Sequence, residues 1–146
     1  MKNIKYFIQF IFLLLLFGMF KILGLRLSLL ISSFIFTKIG PIFRSNKISE
    51  VNLSYAFKNI DKSQRNKILN KMWGNYGKIF AEYVFIKQFR NNPKYYRNIS
   101  FENKDVIEEI KKNSEPVIFI SGHFNNFELM AMQIEKSGID LAAIYR

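Results

Sequence analysis

Apolar side chains fill the chain from Tyr6 to Phe20 with only Gln9 breaking the run, and Ile22 to Leu25 prolong it beyond Lys21. A helix crossing a bilayer needs ~20 apolar residues. This stretch reaches that length when Lys5 and Lys21 lay their methylene stems along it and keep their ammonium groups among the lipid head groups. Residues 1–24 are therefore predicted to form a membrane anchor helix. Leu23, Leu25 and Leu27 stand where a cleaved signal carries small residues, so the anchor is expected to be retained. Lys21, Arg26, Lys38, Arg44 and Lys47 follow the run against Lys2 and Lys5 before it, which places the downstream chain in the cytoplasm.

From Leu25 to Phe43 the chain is again apolar, with Arg26 and Lys38 inside it and Gly40-Pro41 interrupting it. A second full span would have to bury Arg26, at ~2.5–3.5 kcal/mol. An interfacial or core-packed helix is expected instead, within a basic linking segment over 25–60. Asp61 with Gln64 three residues on is a capping box. Ile68, Leu69, Met72, Trp73, Tyr76, Ile79, Phe80, Tyr83 and Val84 then recur at the spacing of one buried helix face. Gly74 and Gly77 each cost roughly 1 kcal/mol relative to Ala, which predicts a close helix crossing there. Trp73 and the neighbouring tyrosines are expected in the core.

Asn91-Asn92-Pro93 ends that unit. Ile99–Phe101 is predicted to be a short strand, and Asn103–Asn113 a helix with Val106, Ile107 and Ile110 inward. After Pro116, Val117-Ile118-Phe119-Ile120 is a continuous apolar run of the kind buried in a parallel sheet. Asn126–Lys136 is predicted as a helix with Phe127, Met130, Ala131 and Ile134 inward, stopped by Gly138, and Leu141–Tyr145 as another strand. Strand, helix, strand within thirty residues is a βαβ unit, so the expected fold class is α/β. Two or three strands cannot make a covered sheet. Residues 61–146 are therefore expected to be the N-terminal part of a longer domain, inactive alone.

Composition narrows the chemistry. The chain has no Cys and one His, which excludes disulfides, thiolate sites and a Cys nucleophile and gives no ligand set for a metal. No cofactor is expected. The net charge is +11, and 20 of the 22 basic residues precede Asn113 against seven of the 11 acidic ones. That excess suits anionic lipid, a phosphorylated ligand or an acidic protein. It is equally what an AT-rich genome produces, given the Lys-over-Arg bias and the many Asn residues. No Arg-rich helix or interleaved aromatic and basic strand points to nucleic acid.

The stretch Ser121-Gly122-His123-Phe124-Asn125-Asn126-Phe127-Glu128 lies where the expected strand gives way to a helix, the edge at which open α/β sheets bind ligands. His123 would leave the strand end, and Glu128 in the first helical turn would reach back to its ring. A carboxylate on one ring nitrogen fixes the tautomer and raises the basicity of the other, giving a base for an alcohol proton. Backbone amides near Asn126 and Phe127 would face a developing oxyanion. Two plainer readings compete: Asn125 with Glu128 is itself a capping box, and a lone His is commonly a hydrogen-bonded core residue. The Gly-x-Ser-x-Gly elbow of serine hydrolases is absent.

His-x-x-x-x-Glu after an apolar run, with Gly122 before it and Asn126-Phe127 leading into Glu128, resembles the bacterial lipid A biosynthesis acyltransferases. The order of parts agrees along all 146 residues: membrane helix, basic segment leading into Asn52-Leu53 and Phe57, amphipathic helix, His-containing segment. Related glycerolipid acyltransferases usually carry Asp in place of Glu128. The family often has Gly for Asn125, Trp for Phe127 and Pro for Lys58; Asn is the non-Gly residue most tolerant of positive φ, so the turn can survive. The resemblance implies a glycerolipid-acyltransferase-like sheet, with His123 as base and Glu128 as its orienting partner. It implies an acyl carrier protein thioester as donor and a phosphorylated glycolipid as acceptor, on the cytoplasmic side of the bacterial inner membrane. Asn125, Asn126 and Arg146 are candidate substrate-binding residues. The rival functions are acylation of a lysophospholipid or another glycolipid, and non-catalytic binding of a basic protein to the membrane surface.

Overall fold

Every regular element among the described residues is a helix: α1 Lys2–Phe43, α2 Lys47–Ala56, α3 Lys62–Tyr83, α4 Ile86–Asn91, α5 Pro93–Tyr96, α6 Lys104–Asn113 and α7 Glu128–Lys136. The structure is a computed structural model that describes residues 2–96, 100, 102–113, 115–122 and 124–142. Contacts divide the chain into two units, 1–85 and 86–146.

In the first unit α1 is two helical limbs that meet at Gly24, whose φ of 74° and ψ of 169° are not helical. Only glycine takes that backbone cheaply. The bend is sharp. Ser28 Oγ donates to the Gly24 carbonyl at 2.8 Å and to the Phe20 carbonyl at 3.0 Å, although eight residues of straight helix span ~12 Å. Likewise Phe17 and Phe36 both stand against the Phe80 ring, at centroid distances of 5.5 and 5.3 Å; a straight helix would separate them by ~28 Å. The first limb exposes nearly all its large apolar side chains, and α1 is long and apolar enough to cross a membrane.

The second limb packs along α3, and the glycines set the spacing. A Cβ on Gly77 would stand 2.4 Å from the Ser32 carbonyl oxygen, so the crossing exists only because the side chain is missing. The Trp73 ring lies across Gly40, and the helix runs on through Gly40-Pro41 to Phe43 without the expected interruption. The capping box at Asp61 is formed: Gln64 N–H donates to Asp61 Oδ1 at 2.8 Å, and Asp61 N–H donates to Gln64 Oε1 at 3.4 Å. The buried face of α3 runs through Leu69, Trp73, Gly77 and Ala81. Ile68, Tyr76 and Tyr83, expected inward, are exposed, because close backbone approach at Gly74 and Gly77 centres the contact there and leaves these three side chains at its flanks.

In the second unit Phe89 and Ile134 are buried, and the Phe89 and Tyr95 rings meet edge to face at 5.9 Å. Arg90 pairs with Glu135 at 2.5 Å, and Lys136 Nζ donates to the Arg90 carbonyl at 2.6 Å, tying α4 to the C-terminal end of α7. Helix α6 forms as expected but buries none of its side chains. Phe127 and Met130 of the α7 segment are also exposed, while Gln133 is buried.

The α/β expectation is overturned. No strand occurs among the described residues, so no βαβ sheet forms. Residues 117–120 pair with nothing, and Ile118 and Ile120 stand 90% and 93% exposed. An apolar run reports a tendency to be buried, whereas a strand exists only through hydrogen bonds to a neighbouring strand; none lies alongside. Leu141 and Ala142 form no strand either. The strand expected at Ile99–Phe101 and the remainder of the one at Leu141–Tyr145 fall outside the described residues, apart from Ser100.

Candidate active site

The segment that leads into α7 is held in a defined turn. Phe124 N–H donates to the Gly122 carbonyl at 2.8 Å, and the Phe124 ring folds over Gly122, where a Cβ would meet it at 2.5 Å. Asn125 follows with φ of 50°. This left-handed conformation is costly for most side chains and mild for Asn, so a residue type that tolerates it stands where the chain requires it. Asn126 is buried and Phe127 is the N-cap of α7.

Glu128 is the first residue of α7 and is half-buried. The helix has no side-chain cap, since its N-cap is Phe127; the Asn125–Glu128 capping box is not made, and the Glu128 carboxylate is not consumed in finishing the helix end. The Leu129 and Met130 amides bond back to the Asn126 and Phe127 carbonyls at 3.2 and 3.0 Å. The first-turn donors are thus partly engaged by the turn itself. The helix end still places a partial positive charge beside the Glu128 carboxylate.

Of the candidate residues, Asn125, Asn126 and Glu128 lie together within one turn and the first residue of α7. His123 and Arg146 lie outside the described residues. Among the described residues there is no cluster of His, Asp or Glu arranged to hold a metal ion. One polar tie that bears on this helix was not visible in the sequence: Arg90 with Glu135, 45 residues apart, carries no local signal. The hydrogen bond from Arg90 holds the Glu135 carboxyl below the usual carboxylate range, and the same contact pushes the Arg90 guanidinium up.

Over residues 1–146 the chain matches the family described as bacterial lipid A biosynthesis acyltransferase. It is 25% identical over 101 residues to the lipid A biosynthesis myristoyltransferase of Escherichia coli (strain K12), covering 69% of this chain and 31% of that protein. The same identity and coverage hold for lipid A biosynthesis acyltransferase 1 of Shigella flexneri. The chain thus spans about a third of the length of the curated relatives it matches. No solved structure matches it.

Proposed function

Because the chain belongs to the bacterial lipid A biosynthesis acyltransferase family, we propose that its protein moves a fatty acyl chain from an acyl carrier protein thioester to a hydroxyl of a lipid A precursor. The observation that carries the reading is the family match over all 146 residues, with the His123-x-x-x-x-Glu128 spacing inside it and Glu128 on the first turn of a helix.

His123 takes the proton of the acceptor hydroxyl as its oxygen bonds to the thioester carbonyl carbon. The tetrahedral intermediate then collapses, the carbon–sulfur bond breaks, and the thiolate leaves with the proton the imidazolium returns. Glu128 orients the ring and balances the imidazolium charge, and the N-terminal dipole of α7 favours the oxyanion. No covalent acyl-enzyme and no cofactor is needed. The first limb of α1 anchors the protein in the bacterial inner membrane, with the reacting groups on the cytoplasmic side. The basic excess before Asn113 suits both an acidic carrier protein and a phosphorylated glycolipid.

The test is mass spectrometry of lipids from cells that lack the gene and carry the wild-type, His123→Ala or Glu128→Ala full-length protein. Lipid A lacking one acyl chain in the deletion and in both variants, with the variants still in the membrane fraction, is the expected result. Unchanged lipid A in all strains, or an altered phospholipid instead, would sink the proposed acceptor; normal acylation by His123→Ala would sink the proposed base.

A further inference from the structure

Beside the crossing of α1 and α3 lies an open cleft of about 430 Å³, within the size range of small-molecule sites. Phe36 from α1 and Met72, Ile79 and Phe80 from α3 wall it with hydrocarbon, and Arg44 stands at the end where α1 gives way to α2. We propose that this cleft holds one acyl chain of an anionic membrane lipid, with the lipid phosphate against Arg44. The proposal rests on the membrane reading above and draws on no residue of the candidate site at Glu128.

Three observations carry it. The lining from Met72 to Tyr83 follows α3 for roughly 16 Å, a slot that fits an extended hydrocarbon chain. No carboxylate among the described residues pairs with Arg44. A planar guanidinium left open in this way matches a phosphate by two parallel hydrogen bonds. Finally, the rim is apolar: Ile48, which lines the cleft, is 65% exposed and Phe43, next to Arg44, is 85% exposed. A lipid tail can therefore enter along exposed hydrocarbon from a bilayer surface, while Ser45 and Ser49 line the cleft near Arg44, its one charged lining residue, where a polar head group would sit.

Trp73, the chain's single tryptophan, lines the cleft, and its indole N–H is fixed by Asn46 Oδ1 at 2.7 Å. Its fluorescence therefore reports occupancy. The chain is reconstituted in vesicles containing a small fraction of lipid with brominated acyl chains, either phosphatidylglycerol or phosphatidylcholine. The expected result is quenching by the anionic lipid at about fivefold lower mole fraction than by the zwitterionic one, the preference one cation gives to a phosphate with no cationic group beside it in the head group. Arg44→Glu should abolish that preference. Lys47→Glu makes the same charge change outside the cleft lining and should retain it. Equal quenching by both lipids, or equal loss in the two variants, would overturn the site while leaving the membrane reading intact. A chain that stays out of the vesicles would overturn both.

Discussion

Ser28 Oγ donates to the Phe20 carbonyl, eight residues back along the same helix, at 3.0 Å. That bond exists only because the chain turns at Gly24, and the same hydroxyl also reaches the Gly24 carbonyl at 2.8 Å. Ser28→Ala is expected to destabilise the 1–85 unit by about 1 kcal/mol, since a buried acceptor loses its donor. Ser32 is equally buried but its hydroxyl has no partner, so Ser32→Ala should be neutral or stabilising. Denaturant titration in mixed micelles, read by circular dichroism, distinguishes the two; equal losses would show that the bend does not depend on the hydroxyl.

The α1–α3 crossing should tolerate no side chain at Gly77. Gly77→Ala forces a Cβ to within 2.4 Å of the Ser32 carbonyl oxygen, and overpacking of this kind costs about 1–3 kcal/mol. Gly18, whose Cβ would meet nothing within 4 Å, is the matched control: Gly18→Ala should be neutral or slightly stabilising through helix propensity. The same titration reads both variants.

Removing the Asp61 cap should fray α3 from its N-terminal end. Asp61→Ala is expected to cost about 1 kcal/mol, with faster amide exchange at Gln64 and Arg65 and little change beyond Trp73. Exchange that accelerates evenly along α3 would mean that the helix melts as one block with the crossing.

At Asn125 the backbone sets the allowed residues. Asn125→Gly should leave stability nearly unchanged, whereas Asn125→Val should cost about 1–2 kcal/mol because a β-branched side chain resists a φ of 50°. Paired with the acylation assay, Asn125→Gly should retain activity and Asn125→Val should lose it; activity retained by the Val variant would show that the turn before α7 does not serve the reaction.

The Arg90–Glu135 pair predicts a pH dependence with a definite sign. The folded-state carboxyl of Glu135 is held below its ordinary range by the hydrogen bond from Arg90, so the unfolded state takes up its proton first as pH falls. The contribution to stability is therefore fully present above the ordinary carboxylate range and is lost as pH drops through the lowered value. Amide exchange in α4 and α7 should accelerate over that acidic interval in the wild type, and Glu135→Gln should flatten the response. A Gln variant that follows the wild-type profile would assign the dependence to another carboxylate.

What the sequence made legible is what local chemistry decides. The Asp61–Gln64 box needs only four residues, and the Gly74 and Gly77 pair announces a close crossing wherever the partner comes from. The turn at Asn125 was likewise readable, because a positive φ restricts residue type. The bend at Gly24 was not: Gly18, Gly24 and Gly40 look alike in the chain, and only packing of Phe17, Phe20 and Phe36 around Phe80 selects one of them. The inward face of α3 was misplaced toward Tyr76 and Tyr83 for a related reason, since hydropathy counts large side chains while the contact was built on missing ones. The sheet failed because residues 117–120 show an apolar preference without a pairing partner. Of the proposed catalytic pair, the structure positions Glu128 alone, and His123 lies outside the described residues.

Glu128 and Glu135 occupy opposite ends of a helix seven residues apart, roughly 10 Å. The far end is fastened by a guanidinium–carboxylate clasp whose partners are 42% and 48% exposed. Electrolyte weakens exposed attractions of this type, so dissolved ions can loosen the grip on the rear of the helix without touching its front. Whatever work the front carboxylate performs would inherit a sensitivity to salinity from a contact that never meets a substrate.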